Sequence, residues 1–302
     1  MRILVTGSSG TIGTRLAETL MEKGHDVVCV DWEKNQWNAA INDITILADL
    51  RDEKNLKKLP SDIDAVVHLA ANARVYELVE NPDRARDNFL TTFNTLEWAR
   101  KQKIERFLFA SSREVYGNEK RERYTEDTAS IDQCESSYTA SKIGGEALVH
   151  AYRRCYDMKT VILRFSNVYG AYDDSERIVP LFIRLARKNE PMVVFGKDKC
   201  LDFTYIDDAI AGAILALEKF DQVSGETFNL AFGKGSTLVS LAEQIKKLTK
   251  SMSSVSFAPS RTGEVTHYVG DITKAKKLLG FDPKISFEEG IKRAVSWYAQ
   301  NS

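Results

Sequence analysis

The sequence carries almost no net charge: 42 Lys and Arg against 43 Asp and Glu leave −1 over 302 residues. Without an excess of positive charge there is no global field to draw nucleic acid or an acidic membrane surface, so neither is expected as a partner. Cysteine is scarce, and Cys29, Cys134, Cys155 and Cys200 include no pair at metal-ligand spacing. They read as reduced thiols of a cytoplasmic protein with no metal site. No apolar run approaches the length that spans a bilayer, and the chain enters a strand-like run without a basic segment and an apolar signal core. Internal repeats and low-complexity tracts are missing too. What is left is a globular chain whose 43% hydrophobic residues can fill a sizeable core, and the expectation is an enzyme for small molecules.

What is present is an alternation. The runs "RILVT", "DVVCV", "ITILA", "AVVHLA", "RFLFAS" and "TVILRF" are separated by longer amphipathic stretches, and strands joined by helical crossovers build a parallel sheet. The runs are rich in Val, Ile and Leu rather than polar-alternating, as suits strands covered by helices on both faces. The expected fold class is α/β: a Rossmann-type doubly wound parallel sheet over residues 1–166. After Phe165 the pattern loosens. "GAYDDSER" and "GKDKCLD" read as polar loops, "MVVF" as a short strand and "FTYIDDAIAGAILALEK" as a βα return. Residues 167–201 and 232–302 are therefore expected to form mainly a smaller C-terminal substrate-binding lobe, the chain revisiting the sheet near 202–231. The polar stretch "GNEKRERYTEDTASIDQCESS" reads as a solvated loop.

The first of these crossovers carries chemistry. In "MRILVTGSSGTIGTRLAETL" an apolar run breaks into Gly7, Gly10 and Gly13 and then a helical pattern. Gly7 suits a tight turn, Gly10 a close approach of a diphosphate to the backbone, and Gly13 a helix packed against the sheet, with free N–H groups of the helix start facing the phosphates. Asp31 ends the second strand, where a carboxylate can bond a ribose 2′-OH and would repel a 2′-phosphate. That favours NAD over NADP. In "LADLRD", Asp49 follows the third strand and has two readings, an adenine contact or the N-cap of the next helix.

A second group of residues lies further on. "SSYTASKIGGEALV" places Tyr138 and Lys142 four apart on a helical pattern, so both project from one face. An ammonium beside a phenol favours phenolate, and a positively charged nicotinamide would favour it further. Tyr138 is the expected general base. Ser111 and Ser112 close the fifth strand at the carboxyl edge of the sheet, where such folds bind ligands, and Ser112 can hydrogen-bond a hydroxyl being oxidised.

Together with "VVHLAA", "NFLTTFNTLEWA", "SSREVYG", "LRFSNVYG", "LDFTYIDDA", "SRTGEV" and "DITKAKKLLGF", these stretches follow one another in the order found in a known family. The chain resembles the extended short-chain dehydrogenase/reductases of the nucleotide-sugar epimerase and dehydratase group, and most of all the UDP-glucose 4-epimerase-like members. The resemblance implies Tyr138 as base and acid, Lys142 on the nicotinamide ribose and Ser112 on the sugar hydroxyl. It implies a cofactor seat that also includes Thr11, Ile12, Leu50, Leu69, Ala70, Ala71 and Asn88. Asn167, Arg261 and the second lobe would hold the nucleotide sugar. A homodimer is implied as well, through helices near residues 83–102 and 138–156, with Phe89, Phe93 and Leu148 as candidates for its seam.

Three departures bear on the substrate. Leu201 stands where the family commonly has an arginine on the diphosphate, leaving Lys199 or Arg261 to carry that charge. Thr91 replaces a helix glycine, read as a packing difference. Arg113 stands where the dehydratases have an acidic residue, while Glu114 keeps their carboxylate. A guanidinium is a poor acid for a departing hydroxyl, which argues against ordinary dehydration. Since neighbours on an extended strand end point to opposite sides, Arg113 is expected to point away from the pocket and pair with Glu114 or the acidic loop. Its alternative is a bidentate bond to the carboxylate of a sugar such as UDP-glucuronate, with Arg74 sharing the load. The expected function is NAD-dependent nucleotide-sugar 4-epimerisation, of the UDP-glucose/UDP-galactose type, through a transient 4-keto sugar. The alternatives are a dehydratase, a UDP-glucuronate epimerase or decarboxylase, a simple net oxidoreductase and, lowest, a non-catalytic NAD-binding regulatory protein.

Overall fold

In a computed structural model, which describes residues 1–301, the six apolar runs of the first half become six neighbouring strands. They are β1 (Arg2–Thr6), β2 (Asp26–Asp31), β3 (Thr45–Leu47), β4 (Ala65–His68), β5 (Arg106–Ser112) and β6 (Lys159–Phe165). After β6 the chain leaves this sheet for β7 (Asn167–Tyr169), β8 (Met192–Phe195) and β9 (Cys200–Tyr205), and returns to it with β10 (Thr227–Leu230). The seven-stranded order is β10-β6-β5-β4-β1-β2-β3, every pair parallel. The order reverses between β1 and β4. At such a switch point the loops leave the carboxyl edge in opposite directions and open a crevice.

Alternate residues of each strand feed different cores. Ile3, Val5, Val67 and Leu108 join one cluster with Leu16 and Leu20 of α1 (Thr11–Glu22), while Leu4, Val66, Phe107 and Phe109 join another with Leu96 and Val149. Both faces of the sheet are thus covered, which is why its strands have no polar side. On the first face α2 (Ala39–Ile44) joins α1 through Ile41, while α4 (Asp83–Lys101) and α5 (Ser137–Tyr156) cover the second, with α3 (Val75–Glu80) packed on both of them. Ser136 caps α5 by accepting from the Thr139 N–H at 3.1 Å. Gly145 lets the same helix lie against β5, since a Cβ there would stand 2.4 Å from the Phe109 ring.

The remaining elements are α6 (Ile178–Lys188), α7 (Ile206–Glu218), α8 (Phe220–Val223), β11 (Gly235–Thr237), α9 (Leu238–Thr249), β12 (Val255–Ala258), β13 (His267–Tyr268), α10 (Thr273–Leu279) and α11 (Phe287–Asn301). Strand β9 is the hub of a second small sheet, pairing with β7, β11 and β13, and β8 pairs with β12. The βα pattern at 203–219 therefore splits between layers: β9 belongs to the small sheet, α7 packs on α1 and β6, and β10 makes the return to the large sheet.

One local reading needs correction. The stretch expected to be a solvated loop is pinned at Tyr124, which is 1% exposed, bridges to Gly270 and exchanges backbone bonds with Val269 and Asp271. Asn118, bonded to Glu264 and Thr266, and Glu126, bonded to Asn229 and Arg164, anchor it further. Helices α4 and α5 pack side by side, and Phe89, Leu90 and Phe93 of α4 stay exposed together with Tyr156 of α5, while Leu148 is half-buried. Among the described residues no helix is long and apolar enough to cross a membrane, and no group of His, Cys, Asp or Glu is arranged to hold a metal ion.

Candidate active site

A cleft of about 860 Å³ runs along the carboxyl edge of the large sheet and under the second lobe. Every residue given a site role above lines it, including Thr11, Ile12, Leu50, Leu69, Ala70, Ala71, Arg74 and Lys199.

At one end lies the glycine turn. Gly7 has φ +70° and sits so close to β4 that a Cβ would meet the Ala70 nitrogen at 2.8 Å; a Cβ on Gly13 would strike the Gly7 carbonyl oxygen at 2.0 Å. The fold itself demands both. Gly10 is different: a Cβ there would make only an ordinary contact at 3.5 Å, and its open side faces the cleft. Asp31 closes this end. Its carboxylate accepts the Ser9 N–H at 2.9 Å and the Glu33 N–H at 3.1 Å, and burial pushes its carboxyl up against those bonds. Asp49 is held by Arg51, whose Nε donates at 2.9 Å, Nη2 at 2.7 Å and backbone N–H at 3.0 Å, and these bonds lower its carboxyl below the usual range. The N-cap of the following short helix is Asp52, one turn away from the expected place.

In the middle stand Ser112, Tyr138 and Lys142. Burial pushes the Tyr138 phenol up to about 12, opposed by the neighbouring Ser112 hydroxyl and by the Arg177 and Arg113 guanidiniums. Lys142 does not bond the phenol. Its Nζ donates to the Ala110 carbonyl at 2.7 Å and lies 5.9 Å from the centre of the Tyr138 ring. The spacing places the two side chains on one face, but the carbonyl at the end of β5 is the nearer acceptor. Burial draws the ammonium down to about 8. Asn88 exchanges bonds with the Asn72 backbone and donates to Ser141 at 3.2 Å. Thr91 donates to the carbonyls of Asp87 and Asn88 and also lines the cleft.

Arg113 pairs with Glu114 as expected but departs from expectation in its direction. Right after Ser112 the chain tightens into a turn of 3-10 helix, Arg113–Tyr116, so strand alternation stops applying. The side chain is buried and lines the cleft instead of the surface. Its Nη2 pairs with Glu114 at 2.7 Å, its Nε donates to Asn167 at 3.1 Å, and Nη1 is buried with no partner. The Glu114 carboxyl is raised by burial, against the pull of Arg113.

At the far end Lys199 is buried in an ion pair with Glu264, and Leu201 is buried beside it on β9. Arg261 lies between two rings, 4.8 Å from Tyr76 and 4.2 Å from Phe195, with no carboxylate paired to it among the described residues. Arg74 is paired with Glu77. Among the lining residues that sequence reasoning missed are Trp37, Tyr172 and Arg177, each in a polar loop with no periodicity to single it out. Tyr172 accepts from the Thr11 hydroxyl at 3.0 Å through its carbonyl, donates to Glu18 at 2.9 Å, and packs with Trp37 and with Trp297 of α11.

A glycine turn at a sheet switch point and a Tyr–Lys face across a deep cleft define a nucleotide-dependent enzyme of the doubly wound class. Residues 3–231 match the NAD dependent epimerase/dehydratase family, and the chain belongs to it. A UDP-glucuronate 4-epimerase of Thermodesulfobacterium geofontis is 31% identical over 315 residues, 99% of this chain and 96% of that one. The structure of a UDP-glucose 4-epimerase with UDP-glucose from Thermotoga maritima has a TM-score of 0.91 at 30% identity, covering 100% of this chain and 99% of its own. That of a UDP-glucuronic acid 4-epimerase from Bacillus cereus with UDP-glucuronic acid and NAD has a TM-score of 0.93 at 29% identity, covering 100% of both.

Proposed function

We propose that this protein is an NAD-dependent nucleotide-sugar 4-epimerase of the UDP-glucose/UDP-galactose type. The observation that carries the reading is Tyr138 beside Ser112 in a cleft with a glycine cradle at one end and an uncommitted cation, Arg261, at the other.

The residues fit a dinucleotide. Gly10 lacks a side chain that its own fold would accept, and the space this leaves belongs to the cleft, as a pyrophosphate seated on the start of α1 requires. Asp31 is placed to take a ribose hydroxyl, and Lys142 and Asn88 line the wall toward the catalytic face. NAD, when bound, supplies the oxidising and reducing partner for carbon 4 of the sugar. The chain supplies the rest. Tyr138 takes the proton from the 4-hydroxyl and later returns it, with Ser112 orienting that oxygen. Arg261 holds the diphosphate in place of the arginine that Leu201 displaces, since Lys199 is committed to Glu264. Asn167 and Arg113 border the sugar. We place residues 1–166 as the cofactor domain, with its return near 202–231, and the remainder mainly as the sugar-binding lobe. We also propose a cytoplasmic homodimer, joined through the exposed apolar face of α4 and α5.

A panel of UDP-, dTDP-, GDP- and CDP-sugars incubated with the purified protein, with products read by NMR, tests the reading. Interconversion of UDP-glucose and UDP-galactose without net reduction of NAD is expected. A 4-keto-6-deoxy or pentose product would overturn it.

One observation favours a second reading of the sugar. The buried Arg113 guanidinium sits one residue from Ser112 with Nη1 unpartnered, which suits a carboxylate at carbon 6. On that reading UDP-glucuronate is the substrate of the same epimerisation.

A further inference from the structure

The inner side of the catalytic helix holds an ion pair that none of the steps above uses. At intervals of four, Tyr138, Lys142 and Glu146 stack along one face of α5, and three consecutive residues of β5 face them. Ser112 lies beside Tyr138, the Ala110 carbonyl accepts from Lys142 at 2.7 Å, and the Ser111 hydroxyl donates to Glu146 at 2.5 Å. Arg164, opposite Ser111 in the register of β6 against β5, grips the Glu146 carboxylate twice, Nε at 2.9 Å and Nη2 at 2.7 Å. Its Nη1 donates to the Tyr116 hydroxyl at 3.0 Å and the Glu126 carbonyl at 2.6 Å. Both partners are buried. A buried pair of this kind is poor evidence of stabilisation, because desolvating two ions can outweigh their attraction; what it delivers here is a charge at a defined place.

We propose that Glu146 and Arg164 are positioning residues: the Glu146 carboxylate holds the Lys142 ammonium in its charged form, and Arg164 holds that carboxylate in place. The proposal rests on the roles given above to Tyr138 and Lys142. The groups facing Lys142 are few. On α5 they are Tyr138 and Glu146; from β5 come the Ala110 carbonyl and the Phe109 ring, 5.2 Å from Nζ. From β4 comes His68, which burial and then Lys142 push down to about 3, so that it stays neutral. Burial works against the ammonium, and Glu146 is the charge that opposes it. Glu146 in turn faces Arg164, Ser111, Tyr116 and His150. The link between the pair and the cofactor side is therefore a single lysine.

The test follows Lys142 directly by the NMR signal of ¹³Cε-labelled lysine in the full-length protein, assigned through its loss in Lys142→Arg. Glu146→Gln should lower the titration midpoint by about one pH unit, because a carboxylate one helical turn away is lost and Arg164 is left unpaired. Arg164→Gln should lower it as well, because the Glu146 carboxyl, buried without its cation, is driven to take up a proton. The double variant Glu146→Gln/Arg164→Gln leaves no unpaired buried ion and should fall between Glu146→Gln and the parent. An unmoved midpoint in folded Glu146→Gln overturns the proposal; if that variant does not fold, an unmoved midpoint in the double variant does so. The signal needs no turnover, so a failed sugar panel with shifted midpoints would sink only the epimerase reading, and the reverse result only this one.

Discussion

Replacing Arg113 by methionine keeps the length of the stem and removes three nitrogens whose surroundings are known. Two are already used inside the protein, by Asn167 and Glu114, and the third, Nη1, is buried without a partner. A sugar carboxylate that takes Nη1 gains a charge-assisted hydrogen bond worth about 1.5–3 kcal/mol. At 1.4 kcal/mol per factor of ten, Arg113→Met should then cost roughly 10- to 150-fold in kcat/KM for UDP-glucuronate. UDP-glucose has no such group. It shares only the indirect loss, since Glu114, left buried without its cation, would be driven to take up a proton. The double variant Arg113→Met/Glu114→Gln removes that complication. Initial rates for both sugars across parent, single and double variants give the difference that matters, and selective loss for the uronate is expected. Equal losses for the two sugars would refute the carboxylate contact and leave Arg113 as the counter-ion of Glu114.

Three other outcomes are expected. Asp31→Ala should narrow the preference for NAD over NADP measured by equilibrium binding; a parent protein that binds both alike would remove Asp31 from the ribose. Tyr138→Phe should melt at the parent's temperature yet lose roughly 10²- to 10⁴-fold in turnover, and the phenolate absorbance it removes should titrate near 12 in the protein alone and lower with NAD bound, since a positive ring favours the anion. Near-parent turnover would end the base assignment. Asp202, buried and accepting from the N–H groups of Phe232, Gly233 and Gly270, has its carboxyl pushed up by burial to about 6. The folded protein thus keeps a proton that the unfolded chain has released above about pH 4, so this group's contribution, about 3 kcal/mol, is present below that pH and lost as pH rises to about 6. Urea unfolding of the parent and Asp202→Asn across pH 4–7 checks the slope, and identical slopes would show that Asp202 does not set it.

The sheet and the glycine turn are legible in the sequence because each is a local pattern: a run of Val, Ile and Leu, a spacing of glycines, an acidic residue at a strand end. The Tyr138–Lys142 spacing likewise reads out a shared helix face. It cannot show which acceptor Lys142 prefers, because the Ala110 carbonyl comes from a strand more than 30 residues earlier. The direction of Arg113 is hidden for another reason, since one turn of 3-10 helix after Ser112 replaces the alternation on which a strand reading depends. Trp37, Tyr172 and Arg177 were invisible as site residues because loops have no period, and Tyr124 because its charged neighbours mask a single buried ring.

The contact of Trp37, Tyr172 and Trp297 has a consequence for how the cleft can be loaded. Trp37 follows β2, Tyr172 follows β7 and Trp297 lies on the last helix, so three distant parts of the chain meet in one aromatic knot. From it the Tyr172 carbonyl reaches Thr11 at the start of α1, beside the glycine turn. The glycine-turn end of the cleft is therefore bordered by Trp37 and Tyr172, both of which touch Trp297 of the C-terminal helix. A dinucleotide seated on that turn would have Tyr172 and the knot at its side. Such a protein should hold its cofactor through many turnovers, and loosening its last helix should be felt first as cofactor escape, far from where the chain was cut.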